Sequence, residues 1–176
     1  MQEQKKREAY RCLVIITDSH IREQLCEFLA DSHIPVYYQM HGIGTASSEW
    51  LELCGLGSIQ KSITLCFIPN GRKKILLAEM NQALSLHKKG TGIAVSIPMN
   101  GMQGFLYKLL NEHTAESDGE EVEKEVKKMN EPITHAMILV TINQGYSDAV
   151  MNTARAAGAT GGTILKGLRC SPGKSA

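Results

Sequence analysis

CLVIITDSHIREQLCEFLADSHIPVYYQMHGIG, residues 12–44, and AMILVTINQGYSDAVMNTARAAGATGGTILKGLR, residues 136–169, begin in the same way. Each reads as an apolar strand, an amphipathic helix, a second strand, and then a basic residue followed by glycine: His41-Gly42 in one, Lys166-Gly167 in the other. Self-similarity at a spacing of about 125 residues marks a duplicated module. The second copy, however, stops where the first is about half finished.

In the first copy, Cys12 to Thr17 is a continuous apolar run of the kind found in a strand covered by helices. Asp18 or Ser19 is placed to cap the next helix, on which Ile21, Leu25, Phe28 and Leu29 share a face, and Pro35 ends it. Val36 to Met40 is β-branched and aromatic, and Gly42 and Gly44 break that strand. A second strand-helix-strand follows: Ser62 to Ile68, then Arg72 to His87 with Leu76, Met80, Ala83 and Leu84 on one face, then Ile93 to Ile97. Two split βαβ units in tandem predict a ferredoxin-like α/β sandwich, because right-handed crossovers put both helices on one face of a four-stranded sheet.

The fold class is therefore an α+β sandwich: a complete βαββαβ module over residues 9–106, a charged linker over 107–132, and an incomplete βαβ half-module over 133–176. The stretch from Asn111 to Glu131 is highly charged and poor in large apolar residues, so it reads as a solvated linker with some helix near Glu120 to Lys128. In the half-module, Met137 to Ile142 repeats the first strand, Ser147 is placed to cap a helix carrying Val150, Met151 and Ala154 inward, and Gly158 is placed just past its end. Gly162 to Lys166 then reads as its second strand. A lone βαβ unit leaves strand edges unpaired and an apolar face bare, so it must dock on the first module, pair with another chain, or be a truncated remnant.

Composition limits the function. The chain has 176 residues, 43% hydrophobic and 21% charged, with a net charge of +1, so no whole-chain field draws it to nucleic acid or anionic lipid. The opening MQEQKKREAY lacks the apolar stretch of a signal peptide, and no apolar run approaches the ~20 residues that span a bilayer. The expected compartment is the cytoplasm, without membrane insertion. Five dispersed cysteines with no C-x-x-C pair read as reduced core thiols, and no metal site is expected.

Three clusters are candidates for ligand chemistry. Gly42 and Gly44, followed by Thr45, Ala46, Ser47 and Ser48, combine side-chain-free backbone, hydroxyls and a helix start, which suits an anion; alone the pattern is weak, and a structural turn is the favoured reading. Gly55 to Ser62 resembles a phosphate loop only superficially, since the glycine-to-lysine spacing is wrong and strand, not helix, follows Lys61. Lys61 itself stands at the base of a long loop and is either a ligand cation or a solvated lysine. His87 to Gly92 offers Lys89 beside a possible backbone cradle of Gly90, Thr91 and Gly92, although helix ends favour cations and glycine anyway. No nucleophile or carboxylate is paired with a histidine in these clusters, so no catalytic residue is assigned and the chain is not read as an enzyme.

The runs AVMNTARAAGATGGTILKGLR, HGIGTASSEW and KKGTGIAVSIP resemble the P-II nitrogen-regulatory signal proteins. The resemblance covers nearly all of 12–101 and, in the second copy, residues 136–169. It implies a non-enzymatic regulator, a trimer of ferredoxin-like modules, that binds adenine nucleotide (ATP, ADP or AMP) as effector, requires no cofactor, and controls a protein target in nitrogen metabolism through a long loop. Carried over, Gly42, Gly44 and Thr45 lie at the loop base, Lys61 at its return, and Lys89, Gly90, Thr91 and Gly92 at the phosphates. The loop runs from Gly44 to Lys61, with Ser48, Glu49, Trp50 and Leu51 as its partner-facing part.

The departures are specific. Ile93 stands where the family places a lysine, Met99 to Gly104 replaces its paired arginines, and Trp50 is the loop's sole aromatic, so the tyrosine used for uridylylation is not evident. Each charge-assisted phosphate bond contributes about 1.5–3 kcal/mol, so three missing cations lower nucleotide affinity by orders of magnitude. The competing reading is a ligand-free interaction module that assembles through its half repeat. A phosphate- or acyl-phosphate-processing enzyme ranks last, because no arginine and asparagine converge on one oxyanion.

Overall fold

The computed structural model describes residues 8–43, 60–88, 91–113 and 136–171. Its frame is one antiparallel sheet of five strands: β1 (Tyr10–Asp18), β2 (Tyr37–Ile43), β3 (Gln60–Pro69), β4 (Gly92–Pro98) and β5 (Gly167–Cys170), in the order β4-β1-β3-β2-β5. The first four strands have the 4-1-3-2 order of a ferredoxin-like fold: β3 separates β1 from β2, and β1 separates β3 from β4, as two interleaved split βαβ units require.

Alternation along β1 builds two cores. Leu13 and Ile15 point to the face covered by α1 (Arg22–Asp31) and α2 (Lys73–Leu84), where Leu25, Leu29, Leu76, Met80 and Leu84 close over Tyr37, Cys66 and Ile68. Of the expected helix faces, Leu25, Leu29, Leu76, Met80 and Leu84 are buried while Ala83 is exposed, so the inward stripe of α2 is narrower than its periodicity suggests. A 3-10 turn, Ser19–Ile21, leads into α1, and neither Asp18 nor Ser19 supplies the expected side-chain cap, because Asp18 is engaged elsewhere. The chain leaves α2 through Ser85 in the left-handed conformation.

Tyr10 and Cys12 point to the other face, which is closed at one end by a helix that sequence periodicity left within the linker. This α3 (Gly104–His113) drives Leu110 to 1% exposure against Tyr10, Cys12, Val36 and Phe67. Tyr10 is fixed twice, by an edge-to-face contact with Tyr107 (centroids 5.7 Å apart) and by donating its hydroxyl hydrogen to Asn111 Oδ1 at 2.6 Å. Residues 107–113 are thus part of the packed body. The rest of this face, around Ile16, Ile63, Ile93 and Val95, is half-buried or open.

The half repeat folds differently from its sequence pattern. Its helix, α4 (Ser147–Ala156), forms as expected, with Val150, Met151 and Ala154 half-buried and Gly158 at φ +97° ending it; Ser147 is the first helical residue, not a hydrogen-bonding cap. Met137 to Ile142 forms no strand, because neither of the neighbours that β1 enjoys is placed beside it. The expected strand at Gly162 to Lys166 is likewise absent, and pairing begins at Gly167, where β5 adds to the edge of β2 with Tyr37 opposite Cys170 and Met40 opposite Gly167. The close approach explains that start: a Cβ on Gly167 would lie 2.8 Å from Met40 Cγ.

Two measurements test this frame. Leu76→Ala is expected to lower unfolding free energy by about 2–5 kcal/mol in urea, as for other fully buried leucines. Burial also pushes the Cys66 thiol up to about 12 from its ordinary 9.0, so its protonated form supports folding fully below pH 9.0 and loses that support as pH rises toward 12. A Cys66→Val protein is expected to lose less stability over that alkaline window than the parent in thermal melts.

Candidate functional site

The sheet register gathers the candidate residues at one end of the molecule. Asp18 ends β1 opposite Lys61 at the start of β3, Lys61 lies opposite Gly42 of β2, and Thr17 lies opposite Gly92 at the start of β4. Gly42, Lys61 and Gly92, taken from three separated stretches of sequence, thus share one sheet end with the turn into α1 and the exit from α2. Gly44, Thr45, Ser48, Glu49, Trp50, Leu51, Lys89 and Gly90 lie outside the described residues.

Lys61 is not the solvated or outward-facing cation that sequence suggests. It is 5% exposed, and its ammonium donates to Asp18 Oδ1 in a buried ion pair whose acid is almost as well covered. Desolvating both charges is costly, and only their contact at short range offsets it. His20, largely exposed, lies 4.0 Å from the other oxygen of Asp18, so a protonated imidazole would add a second, weaker partner at the surface. Asp18 was legible only as a cap; its partnership with Lys61 depends on β1–β3 register, which no local pattern discloses.

Thr91 and Gly92 have structural duties. The Thr91 hydroxyl lies 2.7 Å from Lys88 O and 2.9 Å from Ser85 O, and it donates to these carbonyls where α2 ends. A Cβ on Gly92 would come within 2.5 Å of Ile16 O and 2.9 Å of Thr17 Cγ2, so only glycine lets β4 start against β1. Gly42 is less constrained: its Cβ would meet only the flexible tip of Ile63 at 3.0 Å.

Thr17 and Ser62, opposite each other across β1 and β3 one position in from the ion pair, and Thr64, two residues further along β3, have buried hydroxyl oxygens with no partner among the described residues. Sequence reasoning missed this polar row, which is visible only as small hydroxyl residues in two otherwise apolar strands. Beside it Gln39 receives Arg22 Nε at 3.1 Å and donates to Cys26 Sγ at 3.1 Å, tying β2 to α1. Two surface concavities lie elsewhere: one of about 540 Å³ between α1 and α2 near Ser32, Arg72 and Glu79, the other of about 790 Å³ between α4, Tyr38 and Arg169. Among the described residues no cluster of His, Cys, Asp and Glu could hold a metal ion, and no helix is long and apolar enough to cross a membrane.

The pair gives a direct test. Asp18→Asn strands a buried ammonium and is expected to cost about 3–5 kcal/mol in chemical denaturation, whereas Asp18→Leu combined with Lys61→Met is expected to cost far less.

No family model matches the chain, and no curated protein matches it. Among solved structures, a functionally unknown protein from Pediococcus pentosaceus is 13% identical with a TM-score of 0.42, over 55% of this chain and 97% of that one. The divalent ion tolerance protein CutA1 from Ehrlichia chaffeensis is 9% identical with a TM-score of 0.42, over 61% of this chain and 97% of that one. A NIF3-related protein from Bacillus cereus is 14% identical with a TM-score of 0.40, over 53% of this chain and only 26% of that one. Likenesses this slight carry no functional meaning; the chain's strand order and crossovers themselves make it a ferredoxin-like α+β fold of the kind expected for a P-II-like module.

Proposed function

We propose that this chain is a non-enzymatic, P-II-like regulatory protein in which a small anionic effector, an adenine nucleotide in the first instance, acts at the sheet end and controls a protein partner through the loop between Gly44 and Lys61. The observation that carries the reading is the convergence of Gly42, Lys61 and Gly92 at the end where that loop leaves β2 and returns to β3. The chain is assigned to regulation, with nitrogen metabolism as the setting implied by the resemblance, and a trimer is the assembly that the same resemblance implies.

The Asp18–Lys61 pair supplies the physical basis for a switch. Lys61 is the return point of the loop, and its charge is already neutralised by Asp18. An incoming phosphate competes with Asp18 for the same ammonium, and the exchange alters the anchorage of β3 where the loop returns. A ligand shifts a loop only by its differential affinity for the two arrangements. With Ile93 and Met99 to Gly104 where the family carries cations, little other positive charge assists Lys61, and the expected affinity is modest.

Titration calorimetry with ATP, ADP and AMP tests the assignment. Binding by the parent, lost in both Gly90→Asp and Lys61→Ala while their thermal unfolding remains cooperative, is the expected result. Equal and negligible heats from all three proteins remove the nucleotide.

A further inference from the structure

We infer that Met137–Ile142 is an intermolecular strand that adds to the open edge of β4 in a second copy of this chain. This inference is independent of effector binding. Met137 and Ile138 are 71% and 85% exposed, and Leu139, Val140 and Ile142 are exposed as well. A run of apolar side chains this complete does not stay in water without a partner surface.

The occupant follows from the repeat. Met137 to Thr141 corresponds to Leu13 to Thr17 of β1, the strand that pairs antiparallel with β4 from Arg11 opposite Pro98 to Thr17 opposite Gly92. β4 is an outer strand of the sheet, so its second edge has no neighbouring strand among the described residues, and Ile93 and Val95 on it are about half exposed. A β1-like strand laid antiparallel on that edge, in the parity of β1, sets Leu139 opposite Ala94 and Ile138 opposite Val95. It thereby extends the apolar face of Ile93 and Val95 with Ile138 and Val140. Backbone pairing supplies affinity and the alternating side chains supply register.

The geometry points to another copy's β4. The run is held at the opposite margin of its own sheet: the Thr141 and Tyr38 hydroxyls are 3.4 Å apart, and Tyr38 belongs to β2, which β5 covers. Three strands separate β5 from β4, so with strands about 4.8 Å apart the two margins lie roughly 19 Å from each other. Exchange among copies closes the contact, with a reciprocal pair as the smallest ring.

Light scattering on the full chain, from low to high micromolar concentration, tests this together with mixed-copy cross-linking. The parent is expected to assemble, and Leu139→Pro, which removes the backbone donor that would face Ala94 without touching either core, is expected to be monomeric with unchanged circular dichroism. A tagged Leu139→Cys copy mixed with an untagged Ala94→Cys copy is expected to form a mixed disulfide dimer that neither forms with the parent. A parent that stays monomeric overturns the inference, as does an assembly that survives Leu139→Pro. Assembly without the mixed dimer overturns β4 as the acceptor edge.

Discussion

The pairing of β1 with β3 governs the molecule. It runs unbroken from Tyr10 opposite Pro69 to Asp18 opposite Lys61, and because side chains alternate, its register decides at once what each core contains. Slipping it by one residue would turn Leu13 and Ile15 away from α1 and α2 and expose what now lies beneath α3. The terminal Asp18–Lys61 pair penalises such a slip, since either charge shifted from the other would be buried alone. Compared with a well-packed apolar pair such an ion pair adds little net stability; the cost lies in separating its two charges.

The same pair changes how the sheet end is understood chemically. Considered residue by residue, Lys61 offers a free charge and the glycines a cradle. In the fold, Lys61 is neutralised, Thr91 closes a helix end, and Gly92 makes room for the carbonyl of Ile16. An effector acting here must therefore work by exchange, replacing an internal contact, and its affinity carries the cost of the contact it breaks.

Much of the fold is legible in the sequence because it rests on local periodicity. The apolar run of β1, the i, i+4 spacing of Leu25 and Leu29 and of Leu76, Met80 and Leu84, and the glycine punctuation near residues 42 and 92 announce the βαββαβ order. What stayed hidden depends on distant partners. α3 sits at the margin of a charged stretch, and only Tyr10 and Phe67 across the sheet show why Leu106 and Leu110 are helical. The Asp18–Lys61 contact spans 43 positions and has no sequence signature. Met137 to Ile142 carries a clear strand pattern but forms no strand, since a strand exists only where another supplies its hydrogen bonds.

The order of the sheet, β4-β1-β3-β2-β5, also fixes when it can form during synthesis. The first strand to emerge is a central one, and its neighbours come from Gln60–Pro69 and Gly92–Pro98, while the Tyr10–Asn111 bond that secures the second face spans 101 positions. Until the chain has been made past residue 98, β1 has at most one neighbour, and its apolar run remains at risk of pairing with another chain. The central sheet is thus completed only after residue 98 has been made, and until then the earlier-emerging α1 has no finished surface on which to dock.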